Sequence, residues 1–330
     1  MTVSVLTMGG TIATAITSDG ALPSGSHADD LTALLGRLGA DARVVPLRNT
    51  SSRRVGEADM AALAAVVRAE IAGGATGIVV THGTDTLEET AYGLELILGS
   101  RLGVPFALTG AMRGPGLPGA DGDANVAAAV AVASDARLAD AGPVLVFADE
   151  IHLARHVTKV SSTRLDAFGS PGFGPIGSIV EGAVLLRHGL PATDHGIPGA
   201  ADVDEATLRE RGPLVEIVYS FAGATGALLA AVGDRLDGLV VAGTGGGHTG
   251  PGLTEAVKTV LAAGTPVVLT SRCPDGEVLR STYGGEGSEI DLLGSGAIHG
   301  RGLHPSKARL RLTIALAAGR SASDVFAGDL

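Results

Sequence analysis

Short apolar runs that stop at glycine, threonine or an acid, then give way to helical spacing, recur along this chain. This alternation limits the possible folds more than any other feature. "VSVLT" runs into Met8-Gly9-Gly10-Thr11, and "GIVV" runs into Thr81 to Asp85. "VPFALTGAMR" and "VLVFADE" are further runs ending in polar or glycine residues. Between them lie "EADMAALAAVVRAEIAGG" and "DANVAAAVAVASD", which read as helices. Strands alternating with helices predict an α/β protein with a mostly parallel sheet covered on both faces. "IGSIVEGAVLLR" reads as two short strands joined at a turn.

Further along, "HGLPATDHGIPGAADVDEATLRERG" is polar, rich in Gly and Pro, and without periodicity, which predicts a linker. The rhythm then resumes in "LVEIVY", "DGLVVAG" and "TPVVLTS", and a last helix is predicted in "PSKARLRLTIALAAG". The expected organisation is a larger N-terminal domain over residues 1–188, a linker over 189–212, and a smaller C-terminal α/β domain over 213–330. A length of 330 residues agrees with two cores rather than one. Aromatics make up only 3% and Trp is absent, so small and β-branched aliphatics must fill those cores.

Charge and composition exclude several functions. The formal net charge of −11 argues against a general nucleic-acid binder, which needs a basic face. No apolar run reaches the length of a membrane span. The start, "MTVSVLTMGGTIA", has no basic segment or long apolar stretch, so the cytoplasm is the expected location. Cys273 is the single cysteine, which rules out an intrachain disulfide and reads as a bystander thiol.

The densest polar cluster is "VVTHGTDTLEET", Val79 to Thr90. Leu87, Ala91, Leu94 and Leu98 follow at helical spacing, and Thr86 and Glu89 stand as in a capping box. The cluster therefore occupies the turn between a strand end and a helix start, where α/β proteins build sites. The Thr84 hydroxyl needs a base or relay to act as a nucleophile. Asp85 and Lys159 (in "RHVTKVSSTR") could supply one, although spacing does not bring them together and helix capping is the plainer reading of Thr84 and Asp85 singly. In "TMGGTIAT", Gly9 and Gly10 permit a sharp turn that presents Thr11 and backbone amides to an oxyanion; an ordinary βα turn is the alternative. "GTGGGHTG" places Gly245, Gly247 and Gly250 as G-x-G-x-x-G, with Arg272 after the next strand, the pattern of an NADP-type oxidoreductase. In a chain with 50 glycines, chance competes with that reading. His152 and His156 would share a face if helical, but no third ligand accompanies them; a solvated loop or helix face is the better reading and no metal site is expected. Lys307 and Arg309 read as a solvated helix face.

Taken together, "TMGGTIA" and "VVTHGTDTLEETAY" resemble the paired signatures of the bacterial-type L-asparaginase family. The resemblance continues in order through "LTGAMR", "ADGDANVAAAV", "HVTKVSSTRLDAF", "GPIG", "DGLVVAGTGGGHTG" and "HPSKARLRLTIALA", essentially the whole chain. It implies a flavodoxin-like N-terminal domain and a smaller α/β domain. It also implies an amidohydrolase that converts L-asparagine to L-aspartate and ammonia, with some glutamine turnover and no metal or organic cofactor. Members form homodimers or homotetramers in which a neighbouring subunit completes each active site.

Carried over by position, Thr11 matches the first catalytic threonine, the usual nucleophile, and Thr84 matches the second. Asp85 matches the aspartate that holds the substrate α-amino group, and Lys159 completes a Thr-Lys-Asp relay. Ser52, rather than Ser51, matches the serine that contacts the substrate carboxylate. His248 and Glu286, or Glu289 in its place, match the neighbouring subunit's contribution, with Gly246 and His248 standing where members often carry asparagines. One departure is larger. The family carries a lid tyrosine soon after the first motif, yet "ATAITSDGALPSGSH" has none, and the tyrosines here are Tyr92, Tyr219 and Tyr283. This motivates two alternatives: a relative acting on glutamine or on an amide of a larger molecule, and an amino-acid-binding protein with weak catalysis.

Overall fold

All five residues of Val3–Thr7 (β1) are buried, as a strand covered on both faces requires. The computed structural model describes residues 2–10, 28–190 and 194–327. After β1 come Ala28–Arg37 (α1), Ala42–Pro46 (β2), Glu57–Ala72 (α2), Gly77–Thr81 (β3), Leu87–Leu98 (α3), Phe106–Thr109 (β4), Gly122–Ala133 (α4) and Pro143–Phe147 (β5). Glu150–Leu153 (β6), Thr158–Lys159 (β7), Phe168–Gly169 (β8), Gly177–Val180 (β9) and Ala183–Leu186 (β10) follow. Compact units divide between Gly196 and Ile197.

The first unit carries an eight-stranded sheet in the order β10-β9-β6-β5-β4-β3-β1-β2. Neighbours among β2, β1, β3, β4 and β5 run parallel. Their order, 2-1-3-4-5, is the flavodoxin-like one. The pairs β5–β6, β6–β9 and β9–β10 are antiparallel. Strand order reverses at β1 and β3, whose carboxyl ends open the crevice where such sheets bind ligands. Val5, Val79, Ala107 and Val144 pack with Val126, Ala129 and Ala133 of α4. Small side chains let backbones touch: a Cβ on Gly77 would lie 1.9 Å from the Ala133 carbonyl oxygen.

The expected linker, 189–212, is not irregular throughout. Asp194 accepts from the Ser100 N–H (2.9 Å) in the first unit. In the second unit Ile197 and Ala200 are buried, and Glu205–Arg211 (α5) is capped by Asp204, which accepts from Thr207 N (2.7 Å). A polar cap starts this helix, and apolar periodicity does not report such a start. Val215–Tyr219 (β11), Ala227–Val232 (α6), Gly238–Gly243 (β12), Pro251–Ala262 (α7), Val267–Ser271 (β13), Glu289–Gly294 (α8), Ile298–His299 (β14), Pro305–Ala317 (α9) and Ala322–Ala327 (α10) follow. Their four strands lie in the order β11-β12-β13-β14, all parallel.

Some local expectations are overturned here. Lys307, expected on a solvated face, is 1% exposed, because α9 buries residues around most of its circumference. Arg309 is half-buried and donates to the Val215 carbonyl (3.0 Å). His152 lies on β6, not in a solvated loop or helix, and is buried with Nδ1 3.0 Å from Ser170 Oγ and Nε2 3.2 Å from Glu150. His156 follows in a turn, its ring stacked on Phe173 at 3.9 Å. Among the described residues no helix is long and apolar enough to cross a membrane.

Candidate active site

Two bends meet at the carboxyl ends of β1 and β3. The Met8 N–H donates to the Thr81 carbonyl (2.9 Å), and Gly9 and Gly10 follow at φ +92° each. A Cβ on Gly10 would lie 2.4 Å from Gly83 Cα, so the second bend presses directly on the first. Only glycine meets both demands, the positive φ and the contact. Thr11 comes next and lies outside the described residues.

The bend after β3 is held from within. His82 is fully buried, with Nδ1 2.7 Å from the Gly83 carbonyl and Nε2 3.3 Å from Thr90 Oγ1. A carbonyl only accepts, so Nδ1 carries the proton and Nε2 accepts from the Thr90 hydroxyl. Burial pushes the imidazole below its usual pKa, against the Gly83 hydrogen bond and the Asp59 charge. From outside, buried Ser52 accepts the Asp85 N–H at Oγ (3.2 Å), and its carbonyl accepts from Thr86 Oγ1 (2.8 Å). The capping box is therefore not formed: the Thr86 hydroxyl turns to Ser52 instead of its own helix.

Lys159 arrives from the β7–β8 hairpin. Its Nζ donates to Thr84 Oγ1 (2.9 Å) and to Asp85 Oδ1 (3.2 Å). Thr84 is buried, the Lys159 side chain is 17% exposed, and that of Asp85 is 62% exposed. The site thus joins a hydroxyl, an amine and a carboxylate that still faces solvent. Sequence reasoning missed Glu88, which accepts the Lys159 N–H (3.3 Å). No spacing rule signals it, because Thr84 lies in the turn before α3 while Glu88 lies in the first turn of that helix.

The second unit holds another cluster. His248 Nε2 lies 3.0 Å from Glu289 Oε2, while Glu289 Oε1 accepts from Thr282 N (2.8 Å) and Tyr283 N (2.7 Å). The Glu289 side chain is 0% exposed, and that of His248 29%. Burial alone would raise the Glu289 pKa; the N–H donors of Tyr283 and Thr282 and the imidazole outweigh it, leaving the carboxyl below its usual range. Glu286 lines an open pocket of about 590 Å³ with His248, Tyr283 and Gly246. The G-x-G-x-x-G bend serves packing here: a Cβ on Gly243 would meet Gly247 Cα at 2.7 Å, and Arg272 donates to the Ser220 carbonyl (3.1 Å). Tyr92 is fully buried, whereas Tyr219 and Tyr283 are exposed. Among the described residues no group of three or more His, Cys, Asp or Glu is arranged to hold a metal ion.

Comparison with known proteins accounts for nearly the whole chain. The family described as "Asparaginase, N-terminal" matches residues 2–191, and "Glutaminase/Asparaginase C-terminal domain" matches 214–326. A probable L-asparaginase of Deinococcus radiodurans is 39% identical over 318 residues, covering 96% of this chain and 93% of the relative. One component of the glutamyl-tRNA(Gln) amidotransferase of Halobacterium salinarum is 33% identical over 335 residues, covering 96% and 75%. The crystal structure of a probable cytoplasmic L-asparaginase from Campylobacter jejuni superposes with a TM-score of 0.82 at 31% identity, covering 99% of each chain.

Proposed function

This chain belongs to the asparaginase family and is an amidohydrolase, and on that premise we propose that it converts L-asparagine and water to L-aspartate and ammonia through a threonine-bound acyl-enzyme. The observation that carries this reading is the amine of Lys159 set between the Thr84 hydroxyl and the Asp85 carboxylate. The exposed Asp85 carboxylate pairs with the substrate α-ammonium. Ser52, beside it, receives the substrate carboxylate.

The Thr11 hydroxyl attacks the side-chain amide carbon, and backbone amides of the two bends hold the oxyanion. The hydroxyl proton passes to the leaving nitrogen, which departs as ammonia. Thr84, with Lys159 as proton acceptor and Asp85 orienting it, then activates a water that attacks the acyl carbon. The ester bond to Thr11 breaks, L-aspartate leaves, and the proton taken from the water returns to the Thr11 oxygen. The active unit is a homodimer or homotetramer in the cytoplasm, with His248 and Glu286 facing the neighbouring subunit's site. The amidotransferase relative favours a second reading, an amide carried on a larger molecule.

Ammonia release from L-asparagine and L-glutamine, measured for the protein and its Thr84→Ala and Thr11→Ala variants, tests the reading. Rapid asparagine hydrolysis lost in both variants is expected. No release from either amino acid by folded protein would overturn it. If asparagine then raised the melting temperature, the chain would be a binding protein; if not, larger amides become the candidates.

A further inference from the structure

Thr84 is β-branched, so fixing its methyl group fixes its hydroxyl. Gly110, the residue after β4, faces that methyl closely: a Cβ added there would lie 3.3 Å from Thr84 Cγ2 and 2.5 Å from the His82 carbonyl oxygen. The Gly110 peptide thus forms a wall bounding the space on the methyl side of Thr84, whose Oγ1 accepts from Lys159 Nζ (2.9 Å).

What holds that wall is a buried amide on α4. Asn125 Nδ2 donates to the Gly110 carbonyl (3.0 Å) and to Asp121 Oδ2 (3.1 Å), and its Oδ1 accepts the Ala148 N–H (3.1 Å). Two of these partners only accept and the third only donates, so the amide has one possible orientation. Asp121 extends the clamp, accepting from Met112 N (3.0 Å) and Arg113 N (2.8 Å). Ala148 and Asp149 form the bend between β5 and β6 at φ +48° and +63°, a conformation non-glycine residues rarely hold without such support. One side chain therefore ties together the carboxyl ends of β4 and β5, and through Gly110 that of β3.

We infer that Asn125, fixed by Asp121, is a positioning residue for Thr84: it sets the direction of the catalytic hydroxyl without touching substrate. The inference rests on the proposed role of Thr84. Asn125→Asp tests it, because the carboxylate keeps the acceptor for Ala148 N–H but loses the donor to Gly110. At neutral pH kcat on L-asparagine should fall about 10- to 100-fold, the scale of a misplacement near 1 Å, while KM changes by less than about threefold. As the pH is lowered, the ratio of variant to wild-type kcat should rise. The introduced acid, its pKa raised by the adjacent Asp121 carboxylate, becomes protonated and donates to Gly110 again. A purely structural loss would lower the folded fraction and leave this ratio for folded enzyme flat.

A crystal structure of the same variant gives an answer that does not depend on turnover. Thr84 Oγ1 should leave hydrogen-bond distance of Lys159 Nζ; if it stays, the inference is overturned even where the wild type hydrolyses asparagine. If the wild type releases no ammonia, the proposed function fails, and the position of Thr84 still decides the inference. Should Asn125→Asp not fold, uncharged Asn125→Ser reads out the same distance and the same kcat. Wild-type kcat in a folded variant overturns the inference.

Discussion

The bend after β3 and the bend after β12 share a plan: a fully buried strand, a glycine-containing turn, and a helix beyond it. In both, a basic side chain meets a carboxylate at about the same separation, Lys159 and Asp85 at 3.2 Å, His248 and Glu289 at 3.0 Å. The carboxylates differ in their surroundings. Asp85 is mostly exposed and keeps accepting capacity toward solvent, while Glu289 is fully buried with two backbone N–H groups and an imidazole upon it. A carboxylate with a nitrogen donor about 3 Å away can therefore be left open to a ligand or closed into the fold, and burial with N–H donors decides which.

The largest test of this contrast is Lys159→Met. It should lower kcat on L-asparagine by about 10²- to 10⁴-fold, the usual weight of a positioned proton acceptor. Stability should change by only about 0–1 kcal/mol, since the pair is half open to water. Kinetics and urea denaturation on one preparation check both, and a variant keeping more than a tenth of kcat would erase the distinction.

Glu289→Ala should behave in the opposite sense. Two N–H groups and an imidazole lose their acceptor, so stability should drop by about 2–4 kcal/mol. A loss under about 0.5 kcal/mol in a urea titration would show that the buried carboxylate is not structural. Ser52→Ala sits between the two regimes: it removes the acceptor for Asp85 N–H, and a stability loss of about 1 kcal/mol is expected, with a rise in KM for L-asparagine. An unchanged KM would sever Ser52 from substrate binding.

Acid should separate the regions last and least. The folded pKa of His82 lies below 6.5 through burial, so the unfolded chain takes up the proton first as pH falls through 6.5. Stability then declines from that point, with His299 and His304 contributing in the same direction. Glu289 is depressed below 4.5, so its contribution is complete above 4.5 and is lost as pH falls through the lower folded value. Urea midpoints should therefore fall between pH 7.5 and 5.5 in the wild type and in Glu289→Gln alike, and only below 4.5 should the variant respond less. A flat wild-type profile in the upper window would contradict a neutral, buried His82.

The sequence by itself determined the alternation of buried strands with helices, and so a mostly parallel sheet; the order β2-β1-β3-β4-β5 came from the fold. A strand covered on both faces must be apolar throughout, which is visible without a partner. It also placed Thr84 and Asp85 in one turn, since that is set by the strand end and the helix start. It did not show that Thr86 would abandon its helix for Ser52, that Lys307 would be buried, that His152 would lie in a strand, or that Glu289 rather than Glu286 would pair with His248. Nor did spacing bring Lys159 to Thr84 across 75 residues, or Ser52 to Asp85 across 33. Periodicity reports which face of an element is apolar. Which polar atoms then satisfy one another depends on crossovers, hairpin register and the close approach of glycine bends, and those exist only once the chain has folded.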